Sequence, residues 1–388
     1  MCMVNVNDIP NVRACITAVE DGMIVRRQRG WPSTDKDLLS FLLGKVRIKA
    51  GFQWKSGIHL WPLYRWAYTK LSGAGDLAPN VQRKEPVYSY SEIETDVVVV
   101  GGGPAGLGAM HELKESGINA TLVEELPWLG GNFALFKTIE PVLRVGRSPR
   151  SIMDLKEESS NSSILAKTKA VAFYRPNTLL AVEYPEKLCQ LRAKKFILAT
   201  GGYEDVPIVE NGDLPGVLTF RGALIMVNGF GVRIGERGIV VGDGDIARMT
   251  QRELERAGMT TNAVSERHLV SVLGKNCVRG VVTKGPNGKE KLKADFVVLA
   301  TRTNPQYELP YQAGSRLEYD EGLRSHVAVR DTYMRSAEGV YLAGDICGPK
   351  TFQAAFQEGR IAALSAVYDM TRSEKYLTRC NEVRGEAP

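Results

Sequence analysis

The residues best suited to chemistry stand in one run, DVVVVGGGPAGLGAMHELKESGINATLVEE, residues 96–125. Gly101, Gly103 and Gly106 follow an apolar strand directly and open a helix. This spacing suits a pyrophosphate. Gly101 permits the tight turn, Gly103 lets the backbone approach the phosphates, and Gly106 lets the helix pack close to the strand. Pro104 and Ala105 stand in the first helical turn, whose free N–H groups and dipole favour an anion. Glu124 lies at the end of the next strand, where a carboxylate accepts from a ribose 2′-OH and repels a 2′-phosphate. The pattern predicts a bound dinucleotide and disfavours NADP at this site.

Further motifs follow. PWLGGN (127–132) brings Gly130 and Gly131 just after Glu124. GVYLAGDICG (339–348) ends a strand on Gly344 and Asp345 ahead of a helical stretch; taken alone, Asp345 could equally be a helix-capping carboxylate. GIVVGDGDIARMTQRELERAGMTTNAVSERH (238–268) repeats the first design with Gly242, Gly244, Ala247 in place of a third glycine, and Glu266 in the place of Glu124. This second unit either binds NAD or keeps the fold without the ligand. ATGG (199–202, with Gly201) and ATRTNP (300–305) look like crossing points between two domains. Together these motifs resemble the glutathione-reductase-like flavoprotein superfamily. The resemblance implies that 127–132 packs on the adenosine half of FAD, and that Asp345 meets its ribityl chain.

The elements that must position these residues are legible as short Val/Ile/Leu runs, DVVVVG, ATLVE, KKFILATGG, GIVVGDG, DFVVLATR and GVYLAGD, alternating with helices at 104–116, 245–257 and 351–369. Continuous apolar runs are the mark of parallel strands with both faces covered, here by helices. The expected fold class is α/β. It has two doubly wound, Rossmann-like dinucleotide-binding domains, the NAD-like one inserted in the FAD-like one, behind a small partial ferredoxin-like segment. The expected boundaries are 1–30 for that segment and 31–92 for a Trp-rich connector and linker. The FAD-type domain takes 93–205 and 305–388, and the NAD-type domain 206–304.

The net charge of +6 comes entirely from residues 1–90, which hold 13 Lys/Arg against 7 Asp/Glu. So local an excess argues against nucleic acid as the partner. The six cysteines form no C-x-x-C pair or zinc spacing, so neither a redox disulfide nor a metal site is expected. No apolar run is long enough to span a bilayer and the N-terminus lacks a signal-peptide pattern, which predicts a cytoplasmic protein.

Residues 1–72 narrow the family. Trp31, Trp54, Trp61 and Trp66 are interleaved with basic residues, and RQRGWPSTDKDLLSFLL…KAGFQWKSG resembles the α subunit of heterotetrameric sarcosine oxidase and of dye-linked proline and hydroxyproline dehydrogenases. That resemblance implies a hetero-oligomer in which a β subunit oxidises a secondary amine. It implies FAD, or alternatively NAD or ATP, in the first site and FMN at a subunit interface, where Arg47 and Lys55 could meet a flavin phosphate. Residues 2–25 resemble the second half of a [2Fe–2S] domain, with Cys2 and Cys15 as its last two ligands. A cluster needs four ligands, so this chain alone would not complete one. His59, His111, His268 and His326 fall in no catalytic constellation, and no catalytic residue is assigned. Two readings follow: a dinucleotide-holding, electron-passing α subunit, or a stand-alone FAD-dependent NADH:acceptor reductase.

Overall fold

The structure, a computed structural model, describes residues 3–14, 17, 19–27, 62, 66, 89–137, 162–183, 187–285 and 288–385. Cys2, Cys15, Trp31, Trp54, Trp61, Arg47, Lys55 and His59 lie outside these residues, as does most of the expected linker. The chain divides into two compact units, Met1–Pro86 and Val87–Pro388. In the first, β1 (Met3–Val6), β2 (Ile9–Arg13) and β3 (Val25–Arg27) form an antiparallel sheet in the order β2–β1–β3. Asn7 and Asp8 join β1 to β2 with φ of 49° and 65°, a left-handed pair that suits the right-handed twist of a tight hairpin.

The second unit begins with β4 (Ser89–Val100), α1 (Pro104–Glu115), β5 (Ala120–Val123), β6 (Ser162–Leu165), β7 (Thr168–Tyr174), β8 (Thr178–Glu183) and β9 (Lys187–Leu198). A second fold follows, with β10 (Val217–Thr219), β11 (Arg237–Val241), α2 (Asp245–Arg256), β12 (Thr260–Val264), β13 (Leu269–Gly274), β14 (Val278–Gly285), β15 (Gly288–Lys293) and β16 (Phe296–Leu299). The chain then returns to the first fold through β17 (Arg335–Ala337), β18 (Val340–Leu342), α3 (Phe352–Thr371) and α4 (Glu374–Gly385).

The first sheet runs β17–β18–β9–β4–β5–β6, with β18, β9, β4, β5 and β6 mutually parallel. Its apolar runs are explained by burial on both faces. Val97, Val99, Ile197 and Tyr341 pack towards α1, α3 and α4, and the alternate residues Val98, Val100, Phe196 and Leu198 pack the other way. That other face differs from the expectation of helices on both sides. Strands cover much of it: β8 pairs antiparallel with the first half of β9, bringing Phe173, Leu179 and Ala181 over the sheet. Apolar cover is what a fully buried strand requires, and its run of side chains does not distinguish a helix from a sheet as the cover.

The second sheet, β10–β16–β11–β12, is wholly parallel. One of its faces meets α2, and the other meets the antiparallel sheet of β13, β14 and β15. Leu135 and Phe136, which lie downstream of the first glycine fingerprint, are buried in the second fold's core beside Phe220, Leu224 and Leu254. Asn228 holds this intrusion by donating to the Leu135 carbonyl at 2.7 Å and to the buried carboxylate of Glu253 at 2.9 Å. Among the described residues no helix is long and apolar enough to cross a membrane.

Helices α1 and α3 meet backbone to backbone. A Cβ on Gly359 would stand 1.8 Å from the Ala105 carbonyl oxygen, and one on Gly108 would stand 2.1 Å from that of Phe356. Next to this contact, the buried Glu112 of α1 accepts from Arg360 at 2.6 Å and pairs with Arg379 of α4 at 3.0 Å. Gly359→Ala must therefore push the helices apart, and a loss of about 1–3 kcal/mol is expected, as for other overpacked cores. Urea unfolding of the variant against wild type measures it.

Candidate dinucleotide site

Strand β4 delivers the chain to Gly101, whose φ of 102° turns it sharply into α1. A Cβ there would strike the Ala199 carbonyl at 2.3 Å, so the turn presses against the end of β9. Gly106 lets the helix sit on that turn, since its Cβ would fall 1.8 Å from the Gly101 carbonyl. Pro104 occupies the first turn of α1 with the buried Ala105, and that turn holds no acidic residue. No acidic side chain of that turn offsets the dipole and its free N–H groups. Gly103 caps the helix in an extended conformation, and nothing lies within 4 Å of where its Cβ would be. These features define an open, anion-favouring cradle.

Glu124 is more tightly engaged than its place at the strand end indicates. Its carboxylate accepts from the Gly102 N–H at 2.6 Å and from the Leu126 N–H at 2.7 Å, closing the fingerprint turn onto the end of β5. Burial pushes its pKa up, against the downward pull of these backbone bonds. Each oxygen keeps a further lone pair for a ribose hydroxyl. The loop 127–132 lies over the same turn: Gly130 donates to the Gly102 carbonyl at 2.8 Å, and a Cβ on Gly131 would stand 3.0 Å from Gly103 Cα.

The far part of the chain completes the wall. Gly344 abuts the first turn of α1, its Cβ position 2.9 Å from that of Ala105. Its N–H donates to Glu358 at 2.8 Å, and Glu358 also pairs with Arg330, which donates to the Leu342 carbonyl at 2.7 Å. This Arg330–Glu358 tie holds the Gly344–Asp345 turn. It was invisible in the sequence because its members are spread from 330 to 358. Asp345 accepts from the Lys350 N–H at 2.9 Å, and burial pushes its pKa up to about 6. Gly201 stands just past the β9 end that underlies Gly101, with φ of 74° and open space around its Cβ position.

The first site thus gathers Gly101, Gly103, Pro104, Ala105, Gly106, Glu124, Gly130, Gly131 and Gly344 around one helix start, with Gly201 and Asp345 adjoining. Its donors and open cradle fit a dinucleotide. At the crossing between the folds, the shielded atoms Thr200 Oγ1, Arg221 Nε and Asn304 Oδ1 have no hydrogen-bond partner among the described residues.

The second fold repeats the turn but not the carboxylate. Gly242 presses on the Ala300 carbonyl as Gly101 does on that of Ala199, Gly244 is open like Gly103, and Ala247 is buried at the third position. Val100 pairs with Val123, and Val241 pairs with Val264. By this register the counterpart of Glu124 is Ser265. Glu266 stands one residue further on, exposed, at the start of a 3₁₀ turn. The expectation that Glu266 fills the place of Glu124 is corrected. A slip of one residue moves a side chain to the opposite face, and it depends on where β12 ends.

With this geometry in view, residues 95–270 match the family model of pyridine nucleotide-disulphide oxidoreductases, and residues 1–30 that of 2Fe-2S iron-sulfur cluster binding domains. The fold is the Rossmann-like α/β fold that these matches share. The chain is similar to sarcosine oxidase α subunits. It is 28% identical over 320 residues to that of Rhizobium meliloti (strain 1021), an alignment covering 76% of this chain and 32% of the relative. An opine oxidase subunit from the same strain is 23% identical over 340 residues, with 71% and 72% covered. The solved structure of L-proline dehydrogenase from P. horikoshii superposes with a TM-score of 0.70 at 24% identity, covering 98% of this chain and 67% of that one. The chain spans only 24–35% of the length of the sarcosine oxidase α subunits it matches.

Gly103→Val is expected to abolish nucleotide retention while the ligand-free protein melts as wild type, because the new side chain enters only the cradle; chromatography of heat-released nucleotide and a thermal melt read the two effects. Ligand-free Asp345→Asn is expected to melt above wild type at pH 8, where the native state must keep a buried carboxylate ionised. The gap closes as pH falls from about 6 towards 3.8, where first the native and then the unfolded carboxyl takes up a proton.

Proposed function

We propose that this chain is the dinucleotide-holding α subunit of a multi-subunit, flavin-dependent oxidoreductase of the sarcosine oxidase or proline dehydrogenase type. Its substrate is a secondary amine or imino acid, oxidised on a partner β subunit in the cytoplasm. The observation that carries this reading is a complete dinucleotide cradle with no acid–base constellation beside it among the described residues. His111 lies on α1 near Phe356, His326 lies between Tyr307 and Tyr319, and His268 is exposed. Relatives named as subunits, one of them of sarcosine oxidase, agree with chemistry shared between chains.

In this reading the α1 N-terminus and the Gly101–Gly103 backbone hold the pyrophosphate, Glu124 takes the adenosine ribose, and Asp345 meets the polyol chain of FAD. Bound there, the flavin supplies reversible electron transfer. The protein excludes water beneath it with Leu129, Ala105 and Ala343, all buried. FMN belongs at the interface with the β subunit. A second reading, a stand-alone NADH:acceptor reductase, is favoured by the intact Gly242–Gly244 turn. It is weakened by Ser265 in the ribose-binding register.

The test is the visible spectrum of the purified chain, followed by chromatography of its released nucleotide. The expected result is a flavin band and free FAD, no amine oxidation by the chain alone, and no bleaching by NADH. Bleaching by NADH would establish the reductase reading, and a colourless protein releasing NAD or ATP would replace FAD with a structural nucleotide.

A further inference from the structure

Helix α2 buries Ala247, Thr250, Glu253 and Leu254, so its opposite side faces solvent. Arg248, Arg252 and Arg256 stand four residues apart on that side and form a straight ridge about 12 Å long. The ridge runs on into a loop of the second fold. Arg256 donates to the Asn228 side chain at 2.7 Å, and Arg233 donates to the Gly258 carbonyl, just past α2, at 3.3 Å. Between these two ties, the five residues 229–233 are all exposed. The loop carries Phe230 at 70% exposure and Val232 at 43%, with Met226 at 36% beside them. Its shape is fixed, because the Phe230 N–H donates to the Ile225 carbonyl at 3.0 Å and the Val232 N–H to that of Met226 at 2.8 Å. The Phe230 ring leans edge-on to Trp128, with ring centres 6.4 Å apart.

The carboxylates nearby are already engaged. Glu253 is buried, Asp245 pairs with Arg248 at the start of the ridge, and Glu255 accepts from Thr261 of β12 at 2.9 Å and from Gln251 at 3.0 Å. Glu236 and Arg237, next to each other in the chain, add no net charge. Arg233 and Arg252 have no carboxylate partner among the described residues. An exposed apolar tip rimmed by unneutralised guanidiniums is the mark of an interaction surface.

We propose that this face, the Arg248–Arg252–Arg256 ridge with Arg233 and the Phe230 loop, docks on an anionic phospholipid membrane. The guanidiniums meet lipid phosphates, for which their forked donors are shaped, and Phe230 and Val232 enter the boundary between headgroups and acyl chains. The protruding loop favours this occupant. An apolar tip enters a fluid lipid surface without a matching pocket, whereas an acidic protein would have to supply one. The inference holds whichever nucleotide fills the cradle.

The experiment is cosedimentation of the full chain with vesicles of phosphatidylcholine and phosphatidylglycerol in equal parts, and with vesicles of phosphatidylcholine alone. Wild type is expected to bind the mixed vesicles at least about tenfold more tightly than the neutral ones. Arg252→Gln is expected to weaken that binding about fivefold, the value of one arginine near an anionic surface, and Phe230→Ser about tenfold. Lys291→Gln makes the same charge change on β15, across the second fold from α2, and is expected to stay within about twofold of wild type. Arg252→Gln carries the test even if Phe230→Ser lowers the melt, because Arg252 has no partner to lose. Failure of wild type to sediment with the mixed vesicles overturns the proposal and gives the face to an acidic protein instead. Sedimentation that Arg252→Gln and Phe230→Ser leave unchanged, or that Lys291→Gln weakens equally, also overturns it, because the basic residues of 1–90 or diffuse charge would then be responsible.

Discussion

The first turn of α1 is hemmed in on three sides by main chain. Its underside rests on the Gly101 carbonyl through Gly106, its flank rests on α3 through Gly359, and Ala105 touches Gly344. No side chain fits between these surfaces. Every wall of the candidate site is therefore referenced to one helix start, and the placement of Glu124, loop 127–132 and the Gly344–Asp345 turn follows from it. Backbone packing at this density transmits displacement instead of absorbing it, since close-packed interiors have little free volume.

Charge is arranged to the same end. Glu124 is satisfied by two N–H groups of its own chain, and Glu358 by Gly344 and Arg330. These carboxylates act as braces, and the first turn of α1 carries no acidic side chain of its own. Asp345 is the exception. It is a carboxylate held in a dry corner with one backbone donor, as suits a group that is to be paired by something not belonging to the protein.

Much of this was legible in the sequence because it depends on local order. Gly101, Gly103 and Gly106 have fixed spacing after a strand, and the apolar runs around them have the period of buried parallel strands. Other features depend on where distant segments end. The slip from Glu266 to Ser265 turns on the last residue of β12, which composition does not encode. The clamp on Glu124 uses a backbone N–H, which every residue but proline has and no motif can flag. Arg330 and Glu358 were missed because their role arises only once the chain returns from the second fold and sets Gly344 against Ala105.

The passage of Leu135 and Phe136 into the second fold's core joins the two folds more firmly than their separate sheets suggest. The segment leaves the fingerprint turn at Gly131 and is locked within a few residues by Asn228. It acts as a short tether whose anchored end cannot come out without opening an apolar core. Drawing the two folds apart would therefore pull Leu135 and Phe136 from their places beside Phe220 and Leu224 and leave that core unfilled.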